Sequence, residues 1–500
     1  MRNDTVTDLA DLEFTPDEMR RMGDAVLERV VQHIASLPSQ PAIGDVHAEA
    51  FCRTMREGPP EHGTPLEALL EPLFRDYIPR SFTASGPGYL AYIPAGGVFP
   101  SALADLISGG VNRYTGVWMA APALVQLEAN VLDWFRDWMQ FPPTTRGLLT
   151  TGGSMANFNA IVCARERLLG AALRDGVLYT STQTHHSVVK SAKLAGILPD
   201  RVREIAVDRD FRVKMGDLRA AIHADRGRGL KPFIVVSNAG TTNTGAVDPL
   251  NEVADLCEAQ GLWHHVDGAY GAFFHIEESL RPLLAGLPRA DSLTLDPHKG
   301  LFIPYGTGAL LVRDGSALRA ANKATAGYLP DMAAEEFYDP SQYGPDLSRG
   351  FPGLRVWLAV KLYGAGRLRA AVAEKRQLGV DAAERISRIP GIVMDAPPQL
   401  SLLAFHLEWP GASLEQQNAA TRELLERVNA RQHVMLTGCT VHDRPALSDA
   451  QHSAGPARAE SKGHYLGRVC VLSFRTRQRQ IDLCVEDLAG EAGEILSRNQ

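Results

Sequence analysis

At 500 residues, with 45% hydrophobic and 22% charged side chains, the chain has the composition of an ordinary soluble globular protein large enough for two or three domains. Its 51 basic and 58 acidic residues give a net charge of −7 without a basic cluster, which excludes an electrostatic footprint for nucleic acid. The six cysteines (Cys52, Cys163, Cys257, Cys439, Cys470, Cys484) form no CxxC pair, which argues against a zinc site or a disulfide framework and for a reducing cytoplasm; Asp4, Asp8, Asp11 and Glu13 precede any apolar stretch, so neither a targeting peptide nor a membrane span is expected.

Residues 17–37, DEMRRMGDAVLERVVQHIASL, place Met19, Met22, Val26, Val30, Ile34 and Leu37 three or four apart, which predicts one apolar helix face ending before Pro38. Proline and glycine are dense over 38–65 and 79–100, so the first hundred residues read as helices and irregular segments that lean on another layer. From 147 to about 313 the runs GLLTTGG, VLYTSTQ, REIAVD, FIVVSNAG, LWHHVDG, DSLTLDPHK and GALLVRD alternate with helical stretches, the pattern of an α/β domain with a mostly parallel sheet. A helix is predicted over 354–368. Beyond 392 the runs LLAFHLEW, HVMLTG and RVCVLSFRT mixed with helices predict a smaller α+β domain, and the polar stretch 442–467 a surface loop. The expected division is 1–98, an N-terminal helical dimerisation segment; 99–354, a large α/β domain; and 355–500, the small domain.

The run SLTLDPHKGLF brings Lys299, beside His298, to the end of a buried strand. Desolvation disfavours the ammonium there and is expected to lower its pKa, which suits a nucleophile that forms a Schiff base; pyridoxal phosphate is the commonest carbonyl cofactor of that kind. Such a cofactor needs three companions. A carboxylate must support the pyridine nitrogen, and LWHHVDGAYG supplies Asp267, followed by the small Gly268 and Ala269. Period-two alternation puts His265 on the same face as Asp267, but no third ligand has local spacing, so no metal is expected. A phosphate cradle fits LLTTGGSMAN, a strand followed by Gly152, Gly153 and Ser154 and then a helix near Met155. A group to cover the ring is offered by His185 or His186 at a strand-to-helix junction, and Thr241 and Thr242 follow another strand.

With GGSMAN, THHSVVKSAKLAG, HVDGAYG and DPHKGL in this order, together with GYLAYIP, ALADLISGGVNRYTGVWMAAPALVQLEANVLDW, LRVWLAVKLYGAGRL and RVCVLSFRT, the chain resembles the group II pyridoxal phosphate-dependent amino acid decarboxylases of fold type I, the aromatic L-amino acid and glutamate decarboxylases among them. The resemblance implies Lys299 as the Schiff-base lysine, Asp267 at the pyridine nitrogen, His185 stacked on the ring with Ala269 beneath it, backbone phosphate contacts from Gly153, Ser154, Met155 and Ala156 with His298 nearby, and Thr242 near the ring substituents. It also implies a homodimer with active sites at its interface, and a lid over 328–347 in which Tyr338 or Tyr343 returns a proton to Cα. Ala84, Ile93 and Gly116 stand where family members often carry bulkier residues, Arg113 and Tyr114 where smaller or apolar ones are common, Asp296 where asparagine or serine is frequent, and Gly300 in place of a usual tryptophan.

The activity so implied is a carboxy-lyase that turns an amino acid, aromatic on one reading, into an amine and CO2 through an external aldimine and a quinonoid. An alternative lets the same carbanion meet O2 and yields an aldehyde. An aminotransferase would need a carboxylate-binding arginine, for which Arg475 is the candidate. A binding protein without turnover would retain the fold but has no reason to keep Lys299, Asp267 and His185 together.

Overall fold

The computed structural model describes residues 12–94, 96–323, 336–396, 398–442 and 463–499. Most of the predicted loop at 442–467, the first part of the lid at 328–335, and Asp4, Asp8 and Asp11 lie outside the described residues. The first helix among the described residues is α1 (Pro16–Ser36), begun by Thr15 and Glu18 in a reciprocal capping box with Pro16 in the first turn. None of its residues is buried; Met19, Val26, Leu27 and Val31 lie exposed on it.

Each of the seven runs between 147 and 313 is a strand: β1 (Arg146–Thr150), β2 (Gly176–Ser181), β3 (Val202–Ile205), β4 (Lys231–Asn238), β5 (Trp263–Asp267), β6 (Ser292–Leu295) and β7 (Gly308–Val312). They form one sheet in the order β1-β7-β6-β5-β4-β2-β3, parallel from β6 through β3 and antiparallel where β7 meets β6 and β1. Helices α2 (Pro122–Trp138), α3 (Gly153–Leu168) and α4 (His186–Leu194) pack against it. On one face Val131, Leu132 and Phe135 of α2 join Phe273, Leu293 and Leu311 in a core, and on the other Ala160, Ile161 and Ala164 of α3 meet Val188, Ile234 and Leu310. Near-continuous apolar strands are what a sheet covered on both faces requires.

A one-turn helix α5 (Pro297–Gly300) carries Lys299 off the end of β6. Helix α6 (Pro352–Ile386) runs through the boundary expected at 354/355 and breaks its helical geometry at Gly364, where φ is 74°. Strands β8 (Ile392–Ala396), β9 (Leu402–Leu407), β10 (Thr437–Val441) and β11 (His464–Cys470) make a second, antiparallel sheet in the order β10-β11-β9-β8, covered by α7 (Leu414–Ala430) and α8 (Gln478–Asn499). Two predicted runs are only partly strand: of HVMLTG only Thr437 and Gly438 enter β10, and RVCVLSFRT leaves β11 after Cys470. All six cysteines are free, and among the described residues no helix is long and apolar enough to cross a membrane.

Candidate active site

The carboxyl ends of β4, β5 and β6 and the turn after β1 enclose a cavity of about 230 Å³ lined in part by Gly152, Gly153, Ser154, Met155, His185, Thr242, Asp267, Ala269, His298 and Lys299. This is where an open α/β sheet binds ligands, because strand-to-helix turns leave backbone groups unspent there. Gly152 adopts φ 153° and ψ 175°, a region open essentially to glycine, and a Cβ built on Gly308 would come within 2.5 Å of its Cα. Both glycines are therefore needed for the turn into α3. The carbonyl of Gly152 already accepts the amides of Met155 (3.0 Å) and Ala156 (3.2 Å), and Ala156, fully buried, does not line the cavity. Of the four residues expected to meet a phosphate, Gly153, Ser154 and Met155 line the cavity.

Asp267 ends β5 with both carboxylate oxygens engaged: Asn157 Nδ2 donates to Oδ2 at 2.9 Å and the Ala269 amide donates to Oδ1 at 3.2 Å. Behind it Asn157 Oδ1 accepts from Thr294 Oγ1 (2.7 Å) and His265 Nε2 (3.0 Å), and His265 Nδ1 accepts from Ser292 Oγ (2.8 Å). His265 thus spends both ring nitrogens on Asn157 and Ser292, which leaves none for the metal pair weighed from strand alternation. Asn157 was missed in the sequence because an asparagine one turn into a helix carries no signal of the strand it will face.

Lys299 Nζ lies 3.0 Å from Asp296 Oδ2, whose residue is 1% exposed. Burial alone lowers the ammonium's pKa, as expected from the sequence. The Asp296 carboxylate, by charge and hydrogen bond, and Asp267 further off outweigh it, so the lysine sits above its ordinary value. The expected depression is corrected by a neighbour three residues away. His298 Nδ1 donates to the Thr307 carbonyl (2.8 Å), which leaves Nε2 3.6 Å from Asp296 Oδ2.

His185 is the N-cap of α4. Its Nδ1 accepts the Ser187 amide at 3.3 Å, so the neutral ring carries its proton on Nε2; burial, against the pull of Asp267, lowers its pKa. Tyr338 and Tyr343 are not brought to the cavity. They stack on each other at 5.4 Å within the core formed with α2, Tyr338 is 9% exposed, and burial raises its phenol far above the ordinary range. The ring of Phe337 is similarly stacked on Trp118 at 4.4 Å. Arg475 donates to the backbone carbonyls of Ser85 (3.1 Å) and Gly96 (2.6 Å) and lines no part of the cavity, so it is occupied elsewhere than an aminotransferase would need.

Of the positions that depart from the family pattern, Ala84 lines a second cavity of about 310 Å³ with Phe82, Gly96, Pro304 and Tyr305. The rings of Tyr305 and His298 are 5.7 Å apart, so the two cavities are neighbours. Gly116 is required by packing, since a Cβ there would meet the Leu347 carbonyl at 2.1 Å. Arg113 is exposed, and Tyr114 donates to that same carbonyl at 3.0 Å.

The buried histidines make stability pH-dependent. Burial holds His264 down at about 3 and His265 at about 4, whereas both titrate near ~6.5 in the unfolded chain. The unfolded state therefore takes up protons first as pH falls, and the contribution of the neutral rings, complete above pH ~6.5, is lost progressively below it at up to ~1.4 kcal/mol per pH unit for each. Denaturant titrations at pH 7 and pH 5 should show this loss, and His264→Gln should reduce the difference by the share of one proton. An unchanged slope in the variant removes His264 as a cause.

The groups present fit pyridoxal phosphate: an amine, a fixed carboxylate at a strand end and helix-end amides answer an aldehyde, a ring nitrogen and a phosphate. Residues 51–408 match the family model described as the pyridoxal-dependent decarboxylase conserved domain. The chain is 33% identical over 443 residues to an aromatic-L-amino-acid decarboxylase of Bacillus atrophaeus, covering 87% of this chain and 92% of that one. It is 28% identical to a phenylacetaldehyde synthase of Petunia hybrida, with 85% and 88% covered. In fold it is similar to the crystal structure of Oryza sativa TDC with PLP and tryptamine, at a TM-score of 0.88 and 24% identity over 96% of this chain and 99% of that one.

Proposed function

We propose, from the premise that this chain belongs to the pyridoxal-dependent decarboxylase family and so is a pyridoxal phosphate-dependent enzyme that removes CO2 from amino acids, that its substrate is an aromatic L-amino acid and its product the amine. The observation that carries the site assignment is the single cavity holding Lys299, Asp267, His185 and the Gly152–Ser154 turn. The aromatic substrate is supported by the Bacillus relative and by the second cavity, where Phe82, Pro304 and Tyr305 offer an apolar berth beside His298.

When bound, pyridoxal phosphate supplies a carbonyl for the substrate amine and an electron sink for the pair left by departing CO2. The chain's own groups do the rest. Gly153 and Ser154 hold the phosphate at the positive end of α3, with Met155 and Ala156 completing the turn and His298 beside it. Lys299 is the point of covalent attachment, and Asp296 steadies its charge until the amine is needed. Asp267, clamped by Asn157 and Ala269, keeps a proton on the ring nitrogen. Ala269 and Thr242 bound the slot and His185 covers its open side, with Nε2–H as the proton source within the chain. Tyr338 and Tyr343 reach the cavity only if the segment 336–350 leaves its packing on α2.

This divides into a measurable choice. Tyr338→Phe and Tyr343→Phe should keep turnover within about threefold and the wild-type ratio of amine to aldehyde, whereas His185→Gln should lower amine formation by ~10²-fold and raise the aldehyde and peroxide share. A rise of aldehyde in either Phe variant instead would assign the proton to that hydroxyl. The second reading, an aldehyde synthase, is favoured by the phenylacetaldehyde synthase relatives, and peroxide released in step with CO2 from the wild-type enzyme would establish it.

The assembly proposed is a cytoplasmic homodimer. The unburied apolar face of α1, with Met19, Val26, Leu27 and Val31, is where a second copy would pack. The division at 98 and 354 belongs to the same proposal, with α6 carrying the chain from the second unit into the third.

A further inference from the structure

The small sheet, apart from the Lys299 cavity, gathers two imidazoles and a carboxylate on strands that are distant in sequence. Asp395 sits in β8 at a register irregularity between Met394 and Ala396, His406 in β9 opposite Val393, and His464 at the start of β11 opposite Val441. One donor atom from each lies within 4.8 Å of the other two. The His406 and His464 rings are 4.3 Å apart edge to face, both residues are buried, and the Asp395 side chain is 0% exposed.

His406 Nδ1 is 3.0 Å from Asp395 Oδ2 and its Nε2 3.3 Å from Glu408 Oε2. Ionised carboxylates only accept, and a neutral imidazole has one N–H, so His406 can satisfy one of them as a neutral ring and not both. A bulge that turns a buried carboxylate toward two histidines sets three donor atoms of the kinds zinc takes side by side.

We propose that Asp395, His406 and His464 bind a divalent transition-metal ion, zinc by the nature of the two-nitrogen, one-oxygen donor set, with water in the fourth position and Glu408 accepting from the other ring nitrogen of His406. The ion clamps β8, β9 and β11 together and takes no part in chemistry at Lys299. Donors about a zinc ion lie roughly 3.3 Å apart in a tetrahedron, a closure within reach of imidazole rotation.

The test uses the tag-free, cofactor-loaded enzyme, freed of metal with a chelator and titrated with Co2+. One ion per chain should bind with intense tetrahedral ligand-field bands, well to the red of the cofactor absorption. Zn2+ should displace it and raise the thermal unfolding midpoint, while decarboxylase turnover stays unchanged. His406→Ala and His464→Ala should abolish the bands and Asp395→Asn should weaken binding at least tenfold. Substoichiometric uptake by the wild-type enzyme, or bands that persist in both histidine variants, overturns the proposal. Should the variants not fold, zinc-edge X-ray absorption of the loaded wild type decides: two imidazoles with oxygen donors support the site, and sulfur ligation or an all-oxygen shell overturns it.

Discussion

Lys299→Ala should lose turnover by roughly three or more orders of magnitude and also destabilise the protein, because the side chain has two separable roles. On the proposed assignment the amine is the point of covalent attachment, and without it the cofactor would be held by phosphate and ring contacts alone. The ammonium is also the partner of Asp296, 3.0 Å away and buried. Removing one member of a buried pair strands the other charge at a cost of about 3–5 kcal/mol. Lys299→Arg separates the two effects: a guanidinium keeps the ion pair but does not form the covalent link, so the arginine variant should be as inactive as the alanine one and unfold closer to wild type in the cofactor-free state. Borohydride reduction and peptide mapping should place the pyridoxyl label on Lys299 in the wild-type enzyme. A label on another lysine, or turnover in either variant, removes the assignment.

The second large effect is expected at Asp267. Asp267→Asn preserves shape but removes the negative charge that the site presents at the end of β5. It also sets an amide against Asn157 Nδ2, which now donates to Oδ2 at 2.9 Å. The loss falls on the step in which charge develops rather than on binding, so the variant should retain cofactor while kcat drops about 10²–10³-fold, the ~3–4 kcal/mol typical of one lost preorganised electrostatic contact. Asp267→Glu, which restores the charge but displaces it, should recover part of the rate. Wild-type turnover in the asparagine variant would mean that the ring nitrogen is supported by another group.

The large sheet was legible because buried parallel strands read as short apolar runs wherever they occur, and its seven runs became seven strands in one sheet. Antiparallel strands of the small sheet were less so: Val434, Met435 and Leu436 are as apolar as any strand but are buried just ahead of β10 rather than in it. Packing uses an apolar run without regard to whether it is hydrogen-bonded to a neighbour. The described part of the 328–347 segment was hard to read for a related reason. Proline, glycine and charge around Tyr338 and Tyr343 suggested an open segment, yet both rings lie in the core with α2 and outside the Lys299 cavity.

Sequence by itself determined the fold class and the motifs that come to line the cavity, since each motif is a few consecutive residues whose strand, turn or helix positions all follow from local backbone geometry. Tertiary structure alone decided which charge prevails at Lys299, that Asn157 clamps Asp267, and that Asp395, His406 and His464 converge. Those relations depend on the separation in space of side chains carried by different elements, and Coulomb and hydrogen-bond energies change steeply over the few ångströms that strand pairing and helix packing set.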